Sequence, residues 1–141
     1  MDYREAYEKA LQLLNVRFLS EGELKAKLRR RGVDDDVLED VVAALEGEHF
    51  LDDQSLARDV YRYYARKGQY GHLYIVNRLR RRCLPVLEDV ERPDEYALAG
   101  DLVKRKFSYR ADEARKAARF LQYRGFSPSV IRDVLEDFTV H

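Results

Sequence analysis

Residues 20–45 read SEGELKAKLRRRGVDDDVLEDVVAAL, a stretch that holds a helix start, a helix stop and a second start. Ser20 has the chemistry of an N-cap, and Glu23 completes a capping box in which each side chain satisfies the other residue's backbone N–H. Leu24 and Leu28 follow on one face, and Gly32 stands where a left-handed residue ends a helix. Asp34, Asp35 and Asp36 then set carboxylates on the positive end of another helix dipole, ahead of the apolar stripe Val37, Leu38, Val41, Val42 and Leu45. Upstream, Ala6, Ala10, Leu11, Leu14 and Phe18 recur at three- and four-residue intervals, which predicts a helix over residues 2–19. One three-helix unit is therefore expected, ending near His49.

The unit returns. A shift of 51 residues lays Ala6 on Ala57, Ala10 on Tyr61, Leu14 on Ala65, Leu24 on Ile75, Leu28 on Leu79, Arg29–Arg31 on Arg80–Arg82 and Val33 on Leu84. A shift of 93 lays Leu28 on Leu121, Gly32 on Gly125, Val33 on Phe126, Val37 on Val130, Leu38 on Ile131, Val41 on Val134, Val42 on Leu135 and Leu45 on Phe138. The expected fold is all-α: one repeat-built domain over residues 1–141, with three tandem three-helix repeats at about 2–49, 50–92 and 93–141. The central repeat carries the loop Lys67-Gly68-Gln69-Tyr70-Gly71 and a short third helix bounded by Pro85 and Pro93. It has Cys83, expected as a partly buried small side chain, where the others have Gly. In the third repeat Ser127 is the N-cap and Pro128 the first helical residue. A unit of about 45 residues buries too little core alone, so neighbours must stack into an elongated, curved molecule suited to binding.

Charge narrows the partners. Basic and acidic residues number 26 each and make up 37% of the chain, which excludes a globally basic coat and an acidic disordered tail. The balance hides segregation. Residues 55–84 carry Arg58, Arg62, Arg66, Lys67, Arg78, Arg80, Arg81 and Arg82 against Asp59 alone, a local net of 8 − 1 = +7, while residues 33–53 hold nine acids and no base. Arginines that end helices complement helix dipoles, worth about 0.3–1 kcal/mol each, so part of the pattern is structural. In the centre, though, Arg58, Arg62 and Arg66 share one face at i, i+4 and i+8, and Tyr63, Tyr70 and Tyr74 interleave with the basic set. Such a surface meets phosphate or an acidic protein face. Tyr61 and Tyr64 are expected to pack between helices.

Other chemistries lack their residues. The third helices, which would have to read a DNA groove, carry Asp34–Asp36 in one copy and Asp133, Glu136 and Asp137 in another, and phosphates repel them. His49, His72 and His141 are scattered, so neither a triad nor a metal site is expected. The 67–71 loop lacks the spacing of a nucleotide loop and its glycines shape a turn. Asp53 is expected to cap the helix beginning near Gln54. One cysteine, the absence of a long apolar run and a charged N-terminus lead to the expectation of a cytoplasmic protein with no membrane span; a monomer with no cofactor and no catalytic residues is expected.

The central stretch Phe50-Leu51-Asp52-Asp53, Leu56-Ala57-Arg58, and Arg66-Lys67-Gly68 with Gly71, Ile75 and Leu79 resembles the signature of the RecX family of bacterial recombinase regulators. Ala10-Leu11 with Leu14, the start at Ser20, Glu23 and Leu24, Lys27-Leu28 with Gly32, and Arg119-Phe120-Leu121 through Gly125-Phe126 to Val130-Ile131 agree with it, so the resemblance covers about residues 5–137. His72 stands where the family usually carries Pro, and Cys83 where it carries Gly. The resemblance implies a non-enzymatic protein that lodges in the groove of the RecA filament on single-stranded DNA, mainly inhibiting ATP hydrolysis, strand exchange and coprotease action. The alternative from charge alone is a direct nucleic-acid binder.

Overall fold

The computed structural model describes residues 1–107 and 110–140; His141 lies outside the described residues. Among them the regular structure is all helical: α1 (Tyr3–Val16), α2 (Glu21–Arg30), α3 (Asp35–Gly47), α4 (Asp53–Arg66), α5 (His72–Arg81), α6 (Glu95–Phe107), α7 (Ala114–Tyr123) behind a 3-10 turn at Ala111–Glu113, and α8 (Pro128–Val140). The chain forms two compact units. The first is Met1–Asp59 with Leu79–Leu87, and the second is Val60–Arg78 with the residues from Glu88 onward.

In the first unit α1, α2 and α3 pack pairwise around Ala6, Ala10, Leu24, Leu28, Leu38, Val41 and Leu45, all fully buried. The two alanines let α1 approach closely, and each buried leucine contributes about 1.5–3 kcal/mol. Ser20 accepts from Glu23 N and Glu23 accepts from Ser20 N, so the capping box forms as expected. Asp35 and Asp36 occupy the first turn of α3. Phe18 departs from the expected stripe: α1 ends at Val16, Arg17 turns extended, and Phe18 lies outside the helix, exposed. Leu19 is buried in its place.

In the second unit α6, α7 and α8 pack pairwise around Ala99, Val103, Ala117, Leu121, Val134 and Phe138. Ser127 Oγ accepts from Val130 N, capping α8, with Pro128 as its first residue. The register matches hold at the level of burial: Leu28, Leu79 and Leu121 are each 1% exposed or less, as are Leu24 and Ile75.

The helix stops repeat as well. Gly32 N donates to Arg29 O and Val33 N to Leu28 O, Cys83 N to Arg80 O and Leu84 N to Leu79 O, and Gly125 N to Gln122 O and Phe126 N to Leu121 O. Each pair is the Schellman pattern around a left-handed residue. Cys83 adopts φ 58° in the place of glycine, and its side chain is exposed, not partly buried as expected. The short third helix expected between Pro85 and Pro93 is absent, since residues 84–94 are not helical. Seven residues between two prolines give no room for a nucleus, and four of them are charged.

Candidate functional site

The seven arginines and one lysine of the central charge window do not share one environment. Arg62, Arg66, Lys67, Arg80 and Arg81 are exposed, whereas Arg58, Arg78 and Arg82 are half-buried. Arg58, Arg80, Arg81 and Arg82 belong to the first unit, and Arg62, Arg66, Lys67 and Arg78 to the second.

Arg82 and Arg78 are held at or beside a joint that occurs once in each unit. In the first, Asp53 Oδ1 accepts from the backbone N of Glu21, the first residue of α2, at 2.9 Å. This corrects the expected cap: Asp52 caps α4 by accepting from Ser55 N, while Asp53 caps α2 instead. Arg82, just past α5, donates to the Phe18 carbonyl at 2.7 Å and makes a two-pronged pair with Glu23, Nη2 to Oε1 at 3.1 Å and Nε to Oε2 at 3.2 Å. The turn at Cys83 lies so close to α2 that a Cβ on Gly22 would sit 2.7 Å from the Cys83 Cβ. Burial pushes the Glu23 carboxyl up, but the bonds from Arg82 and the Ser20 N–H outweigh it and hold its pKa below the ordinary value.

In the second unit the equivalent positions do the same work with other chemistry. Glu95 Oε1 accepts from the N of His72, the first residue of α5, at 2.7 Å. Gly71 N donates to Arg124 O at 2.7 Å and Leu73 N to Gly125 O at 3.1 Å, so backbone meets backbone. Arg124, which the register places on Arg31 and Arg82, donates through Nη1 to Gln69 Oε1 at 3.0 Å and to the Gln69 carbonyl at 3.4 Å. No carboxylate answers it in those bonds: Tyr74 occupies the position of Glu23.

Around this joint the tyrosines of the central stretch gather. Tyr70 and Tyr74 stack at 4.0 Å between centroids and 6° between planes, and Tyr64 meets both edge-on at 6.0 and 5.9 Å. Tyr64 is thus partly packed, while Tyr61 is buried, its hydroxyl 2.8 Å from His72 Nδ1. Cations lie on the rings: Lys67 Nζ is 4.6 Å from the Tyr63 centroid, Arg78 5.1 Å from that of Tyr74, and Arg124 5.6 Å from that of Tyr70. Contacts of this kind contribute about 0.5–1 kcal/mol each at exposed sites. Arg78 also donates to the Tyr74 hydroxyl at 2.8 Å. Burial raises the Tyr74 pKa, but its bond from Arg78 and the charge of Lys67 more than offset that and make the phenol more acidic than usual. A bond to Tyr63 holds the Lys67 ammonium above its ordinary value. Burial, then the charge of Arg92, lowers the His72 pKa.

A basic, aromatic surface of this kind stacks unpaired bases and attracts phosphate or carboxylate. The charge window of residues 55–84 contains Lys67 and Arg78 but not Arg124 or Phe120, whose ring lies 4.9 Å under the Arg124 guanidinium. Register equivalence with Arg82 is the signal that marks Arg124. Among the described residues no group of three His, Cys, Asp or Glu side chains is placed to hold a metal ion. Among them too, no helix is long and apolar enough to cross a membrane.

Comparison with known proteins gives a consistent family. The description "RecX, first three-helix domain" matches residues 6–45, and "RecX, third three-helix domain" matches residues 93–135. A protein named regulatory protein RecX from Pelodictyon phaeoclathratiforme is 32% identical over 89% of this chain and 84% of its own length. Another of that name from Halorhodospira halophila is 38% identical over 87% of this chain and 81% of its own length. Against the one from Geobacillus kaustophilus, 29% identical, this chain spans about half of the relative's length, 56%. A crystal structure of RecX from Lactobacillus salivarius has the same fold, with a TM-score of 0.76 at 18% identity, covering 99% of this chain and 98% of that one.

Proposed function

The chain belongs to the RecX family, and from that premise we propose that it is a cytoplasmic, non-enzymatic regulator of the RecA recombinase, chiefly an inhibitor, acting as a monomer of three tandem repeats. Its partner is the recombinase filament on single-stranded DNA, in whose groove it lodges. The observation that carries this reading is the family match together with the exposed basic residues Arg62, Arg66 and Lys67 on α4 and its end and Arg80 and Arg81 on α5. Arg82 and Arg78 act from behind them, Arg82 through Glu23 and Arg78 through Tyr74.

The test is recombinase-catalysed ATP hydrolysis on single-stranded DNA. The added protein lowers the rate, and Arg62→Glu with Arg66→Glu relieves much of that inhibition. An unchanged rate at several-fold molar excess over the recombinase overturns the proposal. A second reading, direct binding to single-stranded nucleic acid, is favoured by the cations that lie on the tyrosine cluster. Salt separates the two. Direct binding through about five phosphate contacts weakens steeply with ionic strength, whereas filament binding requires recombinase.

A further inference from the structure

The second unit has a pocket of about 380 Å³ lined by Lys67, Arg105, Lys106 and Arg124 over Leu102 and Phe120. Three helix ends supply its charge: Lys67 follows α4, Arg105 and Lys106 close α6, and Arg124 is the C-cap of α7. Helix C-termini attract cations, each carrying roughly half a negative charge, so three ends account for about 1.5 of the four positive charges. A surplus of two or more remains, and no carboxylate lines the pocket among the described residues. A concave wall of low polarizability focuses that field. Here the floor is aromatic, with Lys106 Nζ 4.5 Å and Arg124 Cζ 4.9 Å from the Phe120 centroid. Arg124 uses Nη1 on Gln69, which leaves other donors of its fork for an anion.

One cation of the pocket also touches an exposed ring. Lys67 Nζ lies over Tyr63, which is 55% exposed. A charge site beside an aromatic ring that is more than half exposed matches a phosphodiester with a neighbouring unstacked base, which a single strand offers and a duplex does not.

We propose that this pocket is a phosphate site for single-stranded nucleic acid, with the phosphodiester seated among Lys67, Arg105, Lys106 and Arg124 and an adjacent base laid on Tyr63. The proposal rests on the direct-binding reading above and adds Arg105, Lys106 and Arg124 to it. Its test is fluorescence anisotropy of the full chain with a labelled oligothymidylate of about 16 nucleotides. Arg105→Glu with Lys106→Glu lowers affinity at least tenfold, and the slope of log K against log salt shrinks by about 1.4 for the two lost contacts. Tyr63→Ala weakens binding about fivefold or more through lost stacking and leaves the slope unchanged. Arg4→Glu with Arg17→Glu, the same charge change on and just past α1, changes affinity less than threefold. Thermal melts confirm that the variants stay folded, as the exposure of Arg105 and Lys106 leads one to expect.

Equal losses in the pocket pair and the α1 pair overturn the proposal in favour of a diffuse charge effect. Oligonucleotide binding that ignores the pocket pair, with ATP binding that depends on it, overturns it in favour of a free-nucleotide site. If the unmodified protein binds no oligothymidylate at all, the direct-binding reading falls together with the pocket. If it binds and only the pocket variants are silent, the pocket alone falls.

Discussion

In the first unit Arg82 is clasped by Glu23 and the Phe18 carbonyl; in the second, the equivalent Arg124 is bonded to the neutral Gln69 and lies over Tyr70 and Phe120. Both joints have the same backbone plan. The first residue of one helix caps another, Asp53 on α2 and Glu95 on α5, and a Schellman turn closes against a helix start. What differs is the neutralising group. With a half-buried carboxylate opposite, the arginine is a structural tie; with tyrosine in that place, its hydrogen bonds go to a neutral amide and its charge lies over aromatic rings. A count of charges along the chain weighs the two arginines equally, and only their partners tell them apart.

The glycines give the largest contrast. Gly32 and Gly125 have nearly the same φ, 85° and 83°, yet a Cβ on Gly32 meets nothing within 4 Å while one on Gly125 would lie 2.2 Å from the Tyr74 backbone N. Gly125→Ala is expected to destabilise by about 4 kcal/mol or more, because backbone must move as well as strain. Gly32→Ala costs only about 1–2 kcal/mol for the left-handed conformation. Urea denaturation measures both, and equal losses would remove the second joint from the account.

Arg82→Ala comes next. It strands a half-buried carboxylate and a carbonyl, an expected loss of about 2–3 kcal/mol at pH 7. Glu23 has its folded pKa lowered, so the stability it gains is present above its unfolded value near 4.5 and is lost as pH falls through the folded one. In Arg82→Ala that acid-side loss shrinks, and melts from pH 7 down to pH 3 read it out. Arg124→Ala, which strands no carboxylate in its hydrogen bonds, is expected to cost about 1 kcal/mol; a loss as large as that of Arg82→Ala would erase the contrast. The smallest effect has the opposite sign. Cys83→Gly relieves a left-handed non-glycine residue and should raise stability by about 1 kcal/mol, read as a higher melting temperature.

Helix type, most helix ends, the capping box at Ser20 and the burial of Leu28, Leu79 and Leu121 were all legible in residue spacing, because apolar periodicity and cap chemistry act within a few residues along the chain. Phe18 was misread because its spacing continued a stripe beyond the turn where the backbone leaves the helix. The segment between Pro85 and Pro93 was misread because a repeat pattern argued for a helix that seven residues between prolines do not nucleate. Asp52 and Asp53 look interchangeable as caps in a sequence, and the choice fell to geometry: Asp53 faces α2.

The sequence by itself determined an all-helical chain with recurring helix–stop–helix units and a basic central stretch, since those properties follow from local propensity and from counting. Only the tertiary structure decided which cations meet a carboxylate and which meet neutral partners. That depends on residues about 60 apart, Arg82 with Glu23 and Lys67 with Arg124, being brought within reach by packed helix ends, and Coulomb energy is set by distance in space rather than along the chain.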